Sequence, residues 1–397
     1  MIPRTLRNRL VDLVGSFPVV YLTGPRQSGK TTLAQACFDD FEYVSLEDLQ
    51  YRQESIEDPR GFLRRFEGRG GVVLDEVQRS PDLFSYLQGF VDSKKGGPFL
   101  LTGSQHFLLS ERISQSLAGR AAILELLPFS TAELAGRPTM EPDGFEDLDA
   151  VSEKPPFDLE DILFTGLFPP IHDRGLEAAV WLDGYVRTYV ERDLKMLTNV
   201  GNLDTFVRFV GLCAGRAGQL LNASALGADA GISYATARRW ISLLRTSYVI
   251  DLLQPHHQNF RKRLVKSPKI YFLDTGLLCH LLGIRNRDQL RNHPLRGAVF
   301  ENFIISELIK LFSHHGQKPP LYFFRDSNGR EVDVIIDLGD RRIPVEIKAG
   351  MTVAPDFFRN LDMYLFLSKD KQGMLVYAGE ESYTRKSHQV RAWWSCS

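Results

Sequence analysis

The sequence predicts an α/β protein: a parallel sheet with helices on both faces, then a mostly helical block, then a C-terminal α/β domain. Two observations carry that prediction. Up to about residue 135, short apolar runs alternate with helical stretches, and a glycine turn joins the first run to its helix. From about residue 286 a new block begins, in which a long helix (Phe300 to Phe312) is followed by β-rich sequence.

In the first block, residues 1–135, the runs Val19–Leu22, Tyr43–Ser45, Val72–Leu74, Phe99–Thr102 and Ala122–Leu126 read as strands. The turn after the first is Gly24-Pro25-Arg26-Gln27-Ser28-Gly29-Lys30-Thr31, which fits G-x-x-x-x-G-K-[ST]. Gly24 and Gly29 let backbone N–H groups point inward, where they can cradle nucleotide phosphates. Lys30 reaches the β- and γ-phosphates, and Thr31 can ligate Mg2+. The helix that runs on through Thr32 aims its positive end at the same anion.

The third run ends in two carboxylates. Asp75 would hold Mg2+ through water, and Glu76 would polarise the water that attacks the γ-phosphate. Phe99–Thr102 leads into Gly103-Ser104. Ser104, with Thr102 next, is the polar group expected to sense the γ-phosphate or orient the water, unless the turn uses Gly and Ser for backbone reasons alone. Arg120, just before the fifth run, is a candidate for stabilising transition-state charge, in cis or delivered to a neighbour. Arg26 is a second phosphate-proximal cation.

Residues 136–161 are rich in Pro, Asp and Glu and read as a mobile insert or linker. The chain as a whole carries a net charge of −1, so nucleic-acid binding has to come from local basic patches. Cys37, Cys213, Cys279 and Cys396 lack metal-ligand spacing and read as reduced thiols. Neither a targeting segment nor a membrane-length apolar run is visible, so the expectation is a cytoplasmic protein with no membrane partner.

The second block, residues 162–285, carries Tyr185, Tyr189 and Leu194 at helical spacing. Further on, Ala223–Ala230 reads as a short helix, Gly231 breaks it, and Ser233 can cap a second helix from Tyr234 to Thr246. Ala237, Ile241 and Leu244 form its apolar stripe. A strand at Tyr248–Leu253, a basic loop with Arg261-Lys262-Arg263 and Lys266, and a strand at Ile270–Leu273 complete the order of a winged helix. Arg238 and Arg239 could meet phosphates or base edges, while the basic loop could lie along a DNA backbone. Packing within the chain is the alternative use of the same elements.

In the third block, residues 286–397, Glu331–Ile336 and Arg342–Lys348 read as paired strands turning near Gly339. Alternation sends Ile343, Val345 and Ile347 to one face, and Glu346 and Lys348 to the other, within reach of Asp333. Asp333 and Glu346 with Lys348 could bind Mg2+ and activate water for phosphodiester hydrolysis, with Glu301 of the preceding helix as a further acid.

The motifs GPRQSGKTTL, VVLDEVQ, LLTGSQ and LAGR, in this order, resemble the prokaryotic AAA+ ATPases with a C-terminal domain of unknown function (DUF4143 type). YVERDL, YFLDTGLLCHLLG and GAVFENFIISEL look like that family's C-terminal module, so the likeness spans nearly the whole chain. Asp333, Glu346-Ile347-Lys348 and Glu301 resemble the PD-(D/E)XK nuclease pattern, with Val332 where that pattern has proline. The resemblance implies a P-loop AAA+ sheet, a winged-helix region and a restriction-endonuclease-like domain. It implies ATP and Mg2+ as ligands, ATP hydrolysis, DNA as partner and a homo-oligomer as an open option. The lid arginine of many AAA+ proteins has no evident counterpart here. A slow nucleotide-dependent switch, or a DNA-binding regulator with a catalytically silent nuclease-like domain, is the alternative.

Overall fold

The computed structural model describes residues 1–104, 116–144, 153–193, 203–256 and 266–396. Strands β1 (Val19–Thr23), β2 (Glu42–Ser45), β3 (Val72–Asp75), β4 (Phe99–Gly103) and β5 (Ala121–Glu125) form one sheet in the order β2-β3-β4-β1-β5. Every neighbouring pair is parallel. Each strand must therefore return by a crossover, and helices cover both faces. Strand alternation sorts the core. Val20 and Leu22 bury with Leu10 of α1 (Leu6–Ser16) and Leu33 of α2 (Lys30–Cys37). Val19 and Tyr21 bury on the other face with Phe62 of α3 (Pro59–Arg64) and Leu87 of α4 (Leu83–Asp92). The chain leaves β1 between β4 and β5, where the strand order reverses, and such a switch point opens a crevice for a ligand.

The rest of the described chain packs around two hydrophobic clusters, a large one that runs from Leu127 to Cys396 and a smaller one on the C-terminal sheet with Phe324, Val332, Ile335, Leu361, Tyr364 and Leu375. Its helices include α5 (Thr131–Leu134), α6 (Pro169–Asp173), α7 (Ala178–Tyr185), α8 (Ala223–Ala230), α9 (Tyr234–Thr246), α10 (Arg296–His314) and α11 (Arg359–Ser368). A π-helical run, Val186–Asp193, continues α7.

Strands β6 (Ile250–Pro255) and β7 (Lys269–Phe272) form an antiparallel pair after α9. They do not stay apart from the third block. β6 pairs in parallel with β8 (Leu321–Arg325) through Gln254↔Tyr322 and Pro255↔Phe323. This continues into β9 (Glu331–Asp337), β10 (Arg342–Lys348), β11 (Gly373–Tyr377), β13 (His388–Ala392) and β12 (Tyr383–Arg385), in that order. One eight-stranded mixed sheet thus crosses the boundary drawn at 285/286.

The elements differ from expectation in small ways with physical causes. β6 begins at Ile250 and not at Tyr248, because Tyr248 has φ of 58° and cannot extend. Within the 136–161 segment, Met140 is buried with its sulfur beside the Arg391 guanidinium. All four cysteines are free thiols. Among the described residues, no helix is long and apolar enough to cross a membrane.

Candidate nucleotide site and C-terminal acid cluster

The phosphate loop leaves β1 at Gly24, whose φ is 146°; a Cβ there would lie 2.1 Å from the Leu126 carbonyl oxygen. Only glycine fits. Gly29, at φ 93°, caps α2, so the helix starts at Lys30 with its free N–H groups turned to the loop. The buried Lys30 ammonium donates to the carbonyls of Gly24 (3.1 Å) and Pro25 (2.7 Å). Burial pushes it down to about 8, against the opposing pull of Glu76 and Asp75; Arg26 adds to the fall. The Ser28 carbonyl accepts from Arg4 at 2.8 Å, while the buried Ser28 hydroxyl has no partner.

Asp75 is a hub. Both carboxylate oxygens lie 3.1 Å from the Thr31 hydroxyl, and Tyr43 donates to one at 2.8 Å. Thr102 donates to the other. Glu76 follows in a left-handed conformation, φ 57°, and ends the strand. Burial lifts the Glu76 carboxyl above the ordinary range; Lys30 opposes the rise and Asp75 adds to it. The Gln78 amide donates to Glu76 and, at 3.3 Å, to Ser104 Oγ. Thr102 thus serves Asp75 directly, while Ser104 meets the Gln78 amide that serves Glu76.

Arg26, Gln27, Lys30, Thr31, Thr32 and Glu76 line a cavity of about 330 Å³. Its far wall comes from Met1, Ile2, Phe129 and, beyond the sheet, Pro169, Pro170 and Arg174. Arg174, exposed at the end of α6, and Arg4 escaped the sequence reading because nothing local marks them. The donor set suits Mg2+ with a triphosphate: a carboxylate and a hydroxyl as hard oxygens, beside an ammonium held in place by the loop's own carbonyls.

Arg120 is a correction for the reading in cis. It precedes Ala121, which pairs with Val19 at the starting end of β1, whereas the loop follows Thr23 at the other end. Four residues of strand, roughly 13 Å, separate the two ends. Its guanidinium is held by both oxygens of Asp92, at 2.6 and 2.9 Å.

On the C-terminal sheet, the register Val345↔Val334 sets Asp333 beside Glu346. Asp333 accepts from the Ile347 N–H at 2.8 Å. The Lys348 ammonium lies 2.6 Å from Glu346 and 3.8 Å from Asp333. Burial, with Asp333 beside it, pushes the Glu346 carboxyl up to about 8, and its second oxygen is buried without a partner. Glu301 is close enough to feel this pair: burial, with Asp333 nearby, lifts its carboxyl, while Lys269 opposes the rise. Tyr271 donates to Glu301 at 2.5 Å and Lys269 at 3.2 Å. Lys269, which the sequence reading missed, is buried and also pairs with Glu331. Among the described residues, no group of three or more His, Cys, Asp or Glu side chains is arranged to hold a metal ion. The donor set for a divalent ion here is two carboxylates.

The helical pair forms as read. Gly231 takes φ 73°, and the Ser233 hydroxyl accepts from the Thr236 N–H at 3.1 Å. Ala237, Trp240, Ile241 and Leu244 are buried, which leaves Arg238 and Arg239 exposed on the opposite face of α9. Arg261, Lys262 and Arg263 lie outside the described residues.

Comparison with known proteins follows the same division. An AAA domain profile matches residues 16–135, a domain of unknown function (DUF8612) matches 156–288, and another (DUF4143) matches 296–395. Two uncharacterized proteins, from Mycobacterium bovis and Mycobacterium tuberculosis, are each 33% identical over 369 residues, covering 92% of this chain and 78% of theirs. Among solved structures, a Walker-type ATPase of Pyrococcus abyssi is similar with a TM-score of 0.43 and 16% identity, covering 71% of this chain and 96% of its own. The Thermotoga maritima RuvB Holliday junction branch migration motor has a TM-score of 0.30 and 17% identity, covering 63% and 89%.

Proposed function

The chain belongs to one family with these uncharacterized mycobacterial proteins and is an AAA-type ATPase ending in a DUF4143 domain; we propose that it uses Mg2+ and ATP to drive action on DNA. The observation that carries the ATP site is the convergence of Lys30, Thr31 and Glu76 at one cavity, with Asp75 bonded to the Thr31 hydroxyl.

Each residue has a role set by its position. Loop N–H groups and Lys30 bind the phosphates. Thr31 and Asp75 would hold Mg2+, which supplies charge neutralisation at the phosphate oxygens. Glu76 accepts the proton of the attacking water, and its raised carboxyl makes it a stronger base than an exposed glutamate. Gln78 holds that carboxylate in place, and Ser104 accepts a second hydrogen bond from the same Gln78 amide. Arg26 and Arg174 line the cavity as further cations for the γ-phosphate.

DNA would meet Arg238 and Arg239 on α9, and Arg261, Lys262 and Arg263 are further candidates by sequence. At the C-terminal cluster, Asp333 and Glu346 would hold a divalent ion, the orphaned Glu346 oxygen being one donor, with Lys348 beside them as the cation for a scissile phosphate. A second reading is favoured by Lys269. By neutralising Glu301 and Glu331 it leaves a thin metal site, as suits a nucleotide-dependent switch whose nuclease-like domain docks a partner.

One experiment separates these. Purified protein is incubated with plasmid, Mg2+ and ATP beside Lys30→Ala and Asp333→Ala. Loss of ATP turnover in Lys30→Ala, and of cleavage in Asp333→Ala, supports the first reading. Cleavage unchanged by Asp333→Ala would falsify the nuclease assignment. ATP turnover unchanged by Lys30→Ala would remove the ATP site from this cavity.

A further inference from the structure

Two tyrosines tie the phosphate loop to the C-terminal end of helix α9. The Arg26 guanidinium, inside the loop, stands over the Tyr189 ring at 5.5 Å. The Tyr189 hydroxyl donates to the Ser247 carbonyl at 3.1 Å. Ser247 caps α9, and the next residue is Tyr248. The Tyr248 hydroxyl reaches back across the molecule to Thr23 Oγ1 at 3.2 Å and Glu125 at 3.4 Å. Thr23 is the last residue of β1, immediately before Gly24. Two adjacent residues at the end of α9 are therefore linked to the loop itself, through Tyr189 and Arg26, and to the strand end just before it, through Tyr248 and Thr23.

Tyr248 also carries backbone strain. Its φ of 58° is rare for any residue but glycine and an outlier for a bulky aromatic. Such a conformation persists only where its surroundings over-determine it. Here the ring is buried and the hydroxyl bridges to the ATPase sheet. Tyr189 is buried as well. Neither role follows from packing alone: a phenylalanine would fill both spaces and make neither hydroxyl contact.

We infer that Tyr189 and Tyr248 form a clasp that couples the nucleotide at the phosphate loop to the position of helix α9, and so to whatever binds its exposed arginines. A triphosphate competes with the Tyr189 ring for the Arg26 cation. Moving Arg26 toward the phosphates loosens Tyr189 and, through it, the Ser247 end of α9. Thermodynamic reciprocity then requires a ligand on α9 to change nucleotide affinity by the same factor. The inference rests on the nucleotide reading of the cavity, not on the nuclease reading.

Hydrogen–deuterium exchange on the full chain tests it without any DNA. In the wild type, saturating Mg·ATP should protect residues 24–31 and change exchange across 243–249 by about fivefold or more. Tyr248→Phe and Tyr189→Phe each delete one hydroxyl. Each should keep the protection at 24–31 and lose most of the response at 243–249. The clasp is overturned if 24–31 is protected while 243–249 stays unmoved in the wild type, or if both variants respond fully. No protection at 24–31 would instead remove the nucleotide reading, and the clasp with it.

Discussion

Lys30 holds a charge that its surroundings disfavour. Burial brings its ammonium down to about 8, so above that pH a growing share of the free protein carries a neutral amine. Phosphate binding selects the protonated form. Apparent ATP affinity should therefore be flat below pH 8 and weaken by up to about tenfold per pH unit above it. ATP is fully ionised in that range and adds no slope of its own. Titration with a fluorescent ATP analogue between pH 7 and 9.5 reads this directly; an affinity flat to pH 9.5 would show that Lys30 is not the ligand's ammonium. Lys30, Asp75 and Glu76 were legible because loop and helix, or strand and acids, are contiguous in sequence. Arg4 and Lys269 were not. Arg4 reaches the Ser28 carbonyl and Glu133 from a segment with no motif of its own. Lys269 meets Glu301 and Glu331 only after β7 has packed beside α10 and the C-terminal sheet.

Helix α5 shows the same dependence one scale up. Four residues do not hold a helix in isolation. The Ser130–Glu133 capping box closes its first turn. Glu133 is also the buried partner of Arg4 at 3.2 Å and accepts from the Thr5 N–H at 2.8 Å. Burial alone would raise its carboxyl, but Arg4, His314 and the two backbone N–H groups bring it down to about 2. A carboxyl lowered on folding stabilises the fold fully above its unfolded value, near 4.5, and loses that contribution as pH falls toward 2. Glu133→Gln keeps the shape and leaves Arg4 with an unpaired buried charge, a loss of about 3–5 kcal/mol. Urea melts should show this gap at pH 7 and its closure as the pH is taken from 4.5 to 2. Equal midpoints at pH 7 would mean that water, not Glu133, solvates Arg4. In the first block, short continuous apolar runs bounded by turns placed all five strands within a residue or so, because the central parallel strands are buried on both faces. The pairing of β6 with β8 had no such signal: it joins residues 254 and 322, and register across that separation is set by packing.

Across the whole molecule, charge sets a sharper constraint than shape. A chain of net charge −1 gains no general attraction to DNA, so any affinity must come from a few cations on one face. The exposed face of α9 offers Arg238 and Arg239, and the apolar stripe opposite fixes which way they point. Each arginine that neutralises a phosphate adds about one to the slope of log affinity against log salt. Arg238→Ala/Arg239→Ala should lower DNA affinity and flatten that slope by about 2, while ATP turnover without DNA stays at the wild-type rate. Equilibrium gel shifts at several salt concentrations measure both quantities. A fall in affinity with an unchanged slope would point to base-edge contacts in place of phosphates. No loss of binding would assign α9 to packing within the chain, and the arginines to ordinary solvated surface. The eight-stranded sheet raises the stakes of that choice. β6 follows α9 in the chain and pairs through β8 with the strands that carry Asp333 and Glu346, so α9 and the acid cluster are joined by hydrogen-bonded strands.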